Sequence, residues 1–448
     1  MNDNKHNEEP RIVVYFVPEI ILSEDVNSES IIEDFAPDLW QELQGSSLNC
    51  SATCVFEASD IETLDQLTRK AVDIDPSYQP PDFRAFYYLD ASPDELFGLL
   101  VRLKGSGQVR TAYIDQAGPD PTVNCPKNPR SKWQGYLNSA PAGVGAKYAC
   151  NLPGGDGEGQ GFIDFEQGWI LDHEDLCVDQ QSPLHGKNSN DSRSHGASVL
   201  GVVCAVDNCL GCIGIAPNIK PAKVVSYFCS TRPRALVSAL ANLEYGEVLL
   251  LEAQVQLRLN DQIILGPMEA YDCEYELILL ATTLGFTVVE VGGNGTYNEY
   301  PPLNMDCYKT LDGRRVLKRN YRDSGAIMVT AASSKHPHVR LDYAPFGTRI
   351  DCYAWGENIA TLGSNLDSSV DSYKNTFSAT SGASAIIAGV ALSVQGRAEK
   401  VLKRRYDAKT LRTILSDPCT GTMPSNLEPT RHIGVMPDLR KIFDLVIK

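Results

Sequence analysis

Residues 273–296 read CEYELILLATTLGFTVVEVGGNGT. Apolar side chains at helical spacing over CEYELILLATTLG predict a helix. The β-branched run TVVEV then predicts a buried strand, and Asn294 follows it among glycines. The same unit recurs on both sides. GFIDF, AKVVSYF, EVLLLEA, GAIMVTAA and RIDCYAW are strand-like, while HGASVLGVVCAV and SGASAIIAGVALSVQG are helical. Short apolar strands alternating with helices predict an α/β fold with a doubly wound, mostly parallel sheet and helices on both faces. DAKTLRTILS and PDLRKIFDLVI add helical period near the end. This domain is expected over residues 143–448.

Residues 11–117 have a different rhythm. RIVVYFV, TCVFEA, FRAFYYLD and VRTAYID are strand-like, and SIIEDFAPDLWQELQ and SPDELFGLLVRLKG are helical. The order strand, helix, strand, strand, helix, strand predicts a small N-terminal α+β ferredoxin-like domain. Residues 1–10 form a polar tail expected to be disordered. Residues 118–142, rich in Pro, Gly and Asn, are expected to be an exposed linker or processing region. PGGDGEGQG precedes a strand and opens no helix, so it fits a turn rather than a dinucleotide-phosphate loop.

The chain has 448 residues, 43% hydrophobic and 22% charged, enough for two or three domains and a sizeable core. Its net charge of −17 argues against nucleic acid or an anionic membrane as partner, since either wants a basic face. No run approaches the roughly 18 consecutive apolar residues of a membrane span. The start, MNDNKHNEEPR, lacks the basic and apolar regions of a signal peptide, so a cytoplasmic location is expected unless a leader has been removed. The 13 cysteines are scattered. Cys204, Cys209 and Cys212 cluster without a fourth metal ligand nearby, which favours packing over zinc.

Four residues carry candidate chemistry. Ser381, in FSATSGASAIIAGVAL, opens an apolar helix, where unpaired backbone N–H groups and the helix field favour an oxyanion beside its hydroxyl. The bland alternative is a helix cap. His195, in SRSHGASVLGVV, stands at a second helix entry, and an imidazole there suits a general base. Asp164 ends the strand GFIDF, and strand ends are where sites in such sheets assemble. Glu166, Asp172 and Asp175 compete with it but are expected to be more exposed. Asn294 is either a turn residue or an amide donor to an oxyanion.

The order Asp, His, Asn, Ser resembles the subtilisin-like serine peptidases, the subtilase family. The likeness is carried by IDFEQGWILDHEDL, SHGASVLGVV, CIGIAPNIKPAKVVSY, VVEVGGNGT and SATSGASAIIAGVAL, from about Gln134 to Asp417. Departures accompany it. His195-Gly196-Ala197-Ser198 replaces His-Gly-Thr-His, Ala379 replaces the glycine before Thr-Ser, and Ala385 replaces the following proline. Asp164 is followed by Phe165-Glu166 instead of Ser/Thr-Gly.

The resemblance implies a serine endopeptidase acting on protein or peptide substrates through an acyl-enzyme. Ser381 is its nucleophile, His195 its base, Asp164 the orienting acid and Asn294 the oxyanion donor. It implies no required cofactor, and a structural Ca²⁺ without assignable ligands. It implies a prodomain over residues 11–117, acting as an intramolecular inhibitor, with a permanent accessory domain as the alternative. Glu252, in LLLEAQVQL, is expected either in the wall of a specificity pocket favouring a basic side chain or in a buried polar network. The competing classes are a catalytically silent protease-like scaffold or binding protein, and a serine-carboxyl peptidase with Glu as base.

Overall fold

The computed structural model describes residues 11–17, 51–92, 95–115, 131–208, 210–295, 303–363, 369–425 and 430–447. The expected tail at residues 1–10 and the helix expected over 30–44 lie outside them, as do most of the linker and Cys209.

In the larger domain, β5 (Phe162–Glu166), β6 (Lys223–Ser226), β7 (Val248–Leu251), β10 (Thr287–Val291), β11 (Ile327–Ala332) and β12 (Cys352–Trp355) form one sheet in the order β12-β11-β10-β7-β5-β6. Every neighbouring pair is parallel. The doubly wound expectation therefore holds. From β5 the chain turns outward to β6, then returns to place β7 on the other side of β5. The β5–β7 boundary is thus the topological switch point, where connections leave in opposite directions and a crevice opens at the carboxyl ends of the strands.

Alternation along β5 and β7 decides which side chains meet which layer. Ile163, Phe165, Leu249 and Leu251 enter one core, shared with α4 (Arg232–Ala241) and α5 (Asp272–Thr283). Phe162, Val248 and Leu250 enter the other, shared with α3 (Arg193–Cys204) and α6 (Ala379–Leu402). Asp164 and Glu166 have the parity of Phe162 and so face α3 and α6, the helices that carry His195 and Ser381. Helix α6 is long and apolar enough to cross a membrane, but its apolar stretch is entirely buried within the protein. Small residues permit this. A Cβ on Gly396 would lie 2.3 Å from the Gly154 carbonyl, and one on Gly389 would meet Ile215 at 2.7 Å.

The N-terminal domain holds an antiparallel sheet ordered β2-β3-β1-β4, from β1 (Arg11–Phe16), β2 (Ser51–Cys54), β3 (Phe86–Asp90) and β4 (Val109–Asp115). Helix α2 (Leu96–Gly105) precedes β4 as expected. Between β2 and β3, where a direct strand-to-strand connection was expected, stands α1 (Ala58–Ile74), which buries Ile61, Leu64, Leu67 and Ala71. The linker expectation also needs correction at its end. Tyr136 and Leu137 are buried, and the Trp355 indole N–H donates to the Ala142 carbonyl at 2.8 Å. The chain has thus joined the larger domain's core before residue 142.

The two domains share one apolar cluster. Thr111 donates to Asp272 at 2.7 Å, and the Cys273 amide donates to the Tyr113 hydroxyl at 3.0 Å. Between these contacts Arg232 is buried, pairing with Asp115 and, at 3.0 Å, with Glu274. Removing one member of such a group strands the others in low dielectric. Arg232→Ala is therefore expected to cost about 3–5 kcal/mol, read as a lowered urea midpoint. An unchanged midpoint would mean the pair is hydrated.

Candidate active site

The carboxylate that meets His195 is Glu166. The imidazole Nδ1 bonds to Glu166 Oε1, and the pair is nearly closed off, with side-chain exposures of 10% for His195 and 2% for Glu166. An ionised carboxylate only accepts, so Nδ1 carries the hydrogen and Nε2 is the basic nitrogen. Helix α3 brings His195 here because Gly196 allows close approach. A Cβ there would lie 2.3 Å from the Gly168 carbonyl and 2.4 Å from Trp169. The Phe377 ring stands edge-on to the imidazole at 5.5 Å between centroids.

Asp164, expected to orient the histidine, does something else. It is fully buried, and its Oδ2 accepts the Trp169 indole N–H at 2.7 Å. Burial first, and the charge of Glu166 second, hold its carboxyl well above the usual range, favouring the neutral acid. The physical reason is strand length. β5 continues through Glu166, so the residue projecting past the sheet edge on the α3–α6 face is two positions later than expected, a step of about 6.6 Å. The expectation that Glu166 would be exposed is corrected too, since only 1% of it is accessible. Asp172 is exposed, whereas Asp175 is buried and accepts from the Cys212 amide at 2.7 Å. A usable sequence signal existed. Glu166-Gln167-Gly168 has the acid-x-Gly spacing that Asp164 lacks.

Ser381 is the third residue of α6 and is 3% exposed. Two residues before it, Ala379 adopts φ +75°, a left-handed conformation that favours glycine. Asn294 follows β10 and is fixed from both ends. Its Oδ1 accepts the Thr380 amide at 3.0 Å and the Thr380 hydroxyl at 2.8 Å. Its own backbone N–H donates to Gln254 Oε1 at 3.3 Å. A backbone N–H can only donate, so the carboxamide oxygen must lie at Thr380, which turns Nδ2 the other way. His195 thus pairs with Glu166 in place of Asp164, and Asn294 is bonded to Thr380, the residue before Ser381.

Glu252 follows β7 directly, and its amide donates to the Phe165 carbonyl at 3.0 Å, so it lies beside Glu166 at the switch point. It is 3% exposed, and its Oε1 bonds to Ser384 Oγ, one turn along α6 from Ser381. Of its two expected settings, this is the buried polar network. After it comes an antiparallel hairpin, β8 (Gln254–Leu259) and β9 (Gln262–Pro267), which packs on the Asn294 loop. The Leu265 amide donates to the Gly295 carbonyl at 3.0 Å, and a Cβ on Gly293 would lie 2.5 Å from the Leu265 carbonyl.

Among the described cysteines all are free thiols, and Cys204 and Cys212 are buried. Desolvation pushes the Cys212 thiol up to about 12.

No protein-family model and no curated protein matches the chain, but many solved structures do. One is the epidermin leader peptide processing serine protease (EpiP), S393A mutant, from Staphylococcus aureus. It is 16% identical with a TM-score of 0.57, over 98% of this chain and 100% of that one. Another is fervidolysin from Fervidobacterium pennivorans, a keratinolytic enzyme related to subtilisin. It is 13% identical with a TM-score of 0.52, over 86% of this chain and 60% of that one. The chain therefore has the fold of the subtilisin-like serine proteases.

The left-handed Ala379 gives a direct test of local strain. Ala379→Gly is expected to stabilise the protein by about 1 kcal/mol, because glycine meets no Cβ penalty at this φ. A raised melting temperature checks it.

Proposed function

We propose that this chain is a serine endopeptidase that hydrolyses protein or peptide substrates through an acyl-enzyme, with Glu166, His195 and Ser381 as its triad. The observation that carries this is the buried Glu166–His195 pair on the sheet face covered by the helix whose third residue is Ser381. In this scheme Ser381 Oγ attacks the peptide carbonyl carbon as His195 Nε2 takes its proton. Glu166 holds the imidazole tautomer and stabilises the imidazolium. The tetrahedral oxyanion is met by Asn294 Nδ2–H and the backbone N–H of Ser381. His195 then returns the proton to the leaving amine, and water repeats the sequence on the ester.

The geometry supports Asn294 in this role because Thr380, next to the nucleophile, anchors its other end. A donor fixed before the reaction needs no reorganisation when charge develops. The N-terminal domain, docked through Thr111, Tyr113 and Asp115, is read as an intramolecular inhibitor removed by the enzyme's own activity.

Labelling with a fluorophosphonate probe tests the nucleophile: the wild type labels and Ser381→Ala does not. A wild type that never labels favours the silent scaffold. Within an active enzyme, Glu166→Ala is expected to lower kcat by about ten-thousand-fold, and Asn294→Ala by roughly 10²–10³-fold. Asp164→Asn, which replaces an acid whose burial favours the neutral form, should change kcat less than about tenfold. Peptidase kinetics separate the two acids. Intact mass adds a check, since loss of the N-terminal domain should occur in the wild type and not in Ser381→Ala.

A further inference from the structure

Ser384 has one hydroxyl hydrogen and two oxygen partners. Its Oγ lies 2.9 Å from the Ser381 carbonyl and bonds to Glu252 Oε1. A carbonyl can only accept, and so can an ionised carboxylate. Both contacts can be full two-centre hydrogen bonds at once only if Glu252 is protonated, donating to Ser384 while Ser384 donates to Ser381. We infer that Glu252 is a neutral acid at the head of a relay, Glu252 O–H to Ser384 O–H to Ser381 C=O, which positions the nucleophile's turn and which ionisation disrupts. This rests on the serine peptidase reading.

The surroundings of Glu252 agree. It is buried at the end of β7. From α3 it is faced by His195, which favours its charge, and from β5 by Glu166 and Asp164, which oppose it. Burial is the largest influence, and together these push its carboxyl up to about 8. Its second oxygen, Oε2, has no hydrogen-bond partner among the described residues, as suits a carboxyl that is not ionised.

Loss of this proton has two consequences. Ser384 must turn its single hydrogen to the new carboxylate, releasing the Ser381 carbonyl. A negative charge also arises under the turn where the oxyanion must form. Glu252 is thus a positioning residue, and its ionisation sets an alkaline limit on attack by Ser381.

Two measurements on the full chain test this. The first is stability. A carboxyl whose native pKa is raised keeps its proton while the unfolded chain loses it. Its stabilising contribution is therefore full below the unfolded value and is lost as pH rises toward the native one. Between about pH 5 and 8 the unfolding constant of the wild type should rise about tenfold more per pH unit than that of Glu252→Gln. Equal slopes overturn the protonated acid, whether or not the enzyme is active.

The second is the rate of fluorophosphonate labelling against pH. The wild type should slow about tenfold per pH unit above the ionisation of Glu252, and Glu252→Gln, a permanent donor, should lack that limb. A limb shared by both proteins overturns the positioning role. If Glu252→Gln does not fold, Ser384→Ala takes its place, expected to label at neutral pH as slowly as the wild type does in alkali. Labelling of that variant at the wild-type neutral rate overturns the relay. A wild type that labels at no pH overturns the role in attack through failure of the peptidase reading itself, and the stability slopes distinguish that failure from the absence of a protonated Glu252.

Discussion

A carboxylate removed from water is tolerable only where a hydrogen-bond donor faces it, and Glu166 finds its donor in His195. That pairing constrains much else. It needs the first turn of α3 to lie against the end of β5, which in turn needs Gly196 pressed onto Gly168 and Trp169. It also needs the sheet to switch direction between β5 and β7, because only there do connections diverge and leave a crevice above the strand ends. The same crevice receives the start of α6. The sheet topology therefore brings the ends of β5 and β7 and the starts of α3 and α6 together from segments far apart in sequence.

Three acids crowd this edge, and the protein keeps their charge low by giving each a different partner. Glu166 has the imidazole, Asp164 the Trp169 indole, and Glu252 the Ser384 hydroxyl. Only the first partner can become a cation. Three ionised carboxylates around one imidazole would repel one another with little water to screen them. Burial resolves the conflict by leaving Asp164 and Glu252 raised and favouring their neutral forms. The acid beside the histidine is then the one at which charge is most effectively balanced.

Most of the architecture was legible because it rests on signals that local sequence carries. Apolar runs such as VLLL and TVVEV announce buried parallel strands, and ATSGASAIIAGVAL announces a helix packed on all sides. His195, Asn294 and Ser381 each sit where a regular element begins or ends, and such boundaries leave residue signatures. Asp164 misled because choosing between two acids of the same strand parity depends on where pairing with β6 and β7 stops. That is a tertiary property. Tyr227, beyond β6, still donates to the Glu166 carbonyl, so β5 runs on past the apolar letters. The β8–β9 hairpin was hidden differently. QVQLRLNDQIILGP has the alternation and the Asn-Asp turn of a hairpin, and Asn260 adopts φ 56°. The expected strand EVLLLEA stops just before it, and no element was expected over it. Helix α1 had its apolar spacing too, but the anticipated strand order left it no place.

The hairpin restricts the loop that carries Asn294. Gln254 holds the Asn294 backbone from one side, Leu265 bonds to Gly295 beyond it, and Thr380 takes the carboxamide oxygen from the other. Such a clamp leaves the loop little freedom to turn its donor away, which is what a preorganised dipole requires. The cost falls on the neighbouring turn, where Ala379 occupies a conformation that glycine would adopt without strain. A left-handed residue survives there because Asn294 holds Thr380 and the Ala379 amide itself donates to the Gly356 carbonyl at 3.0 Å. Rigidity around Asn294 and strain at Ala379 are thus two sides of one arrangement: the bonds that fix the amide also hold the serine's turn in its unfavourable geometry.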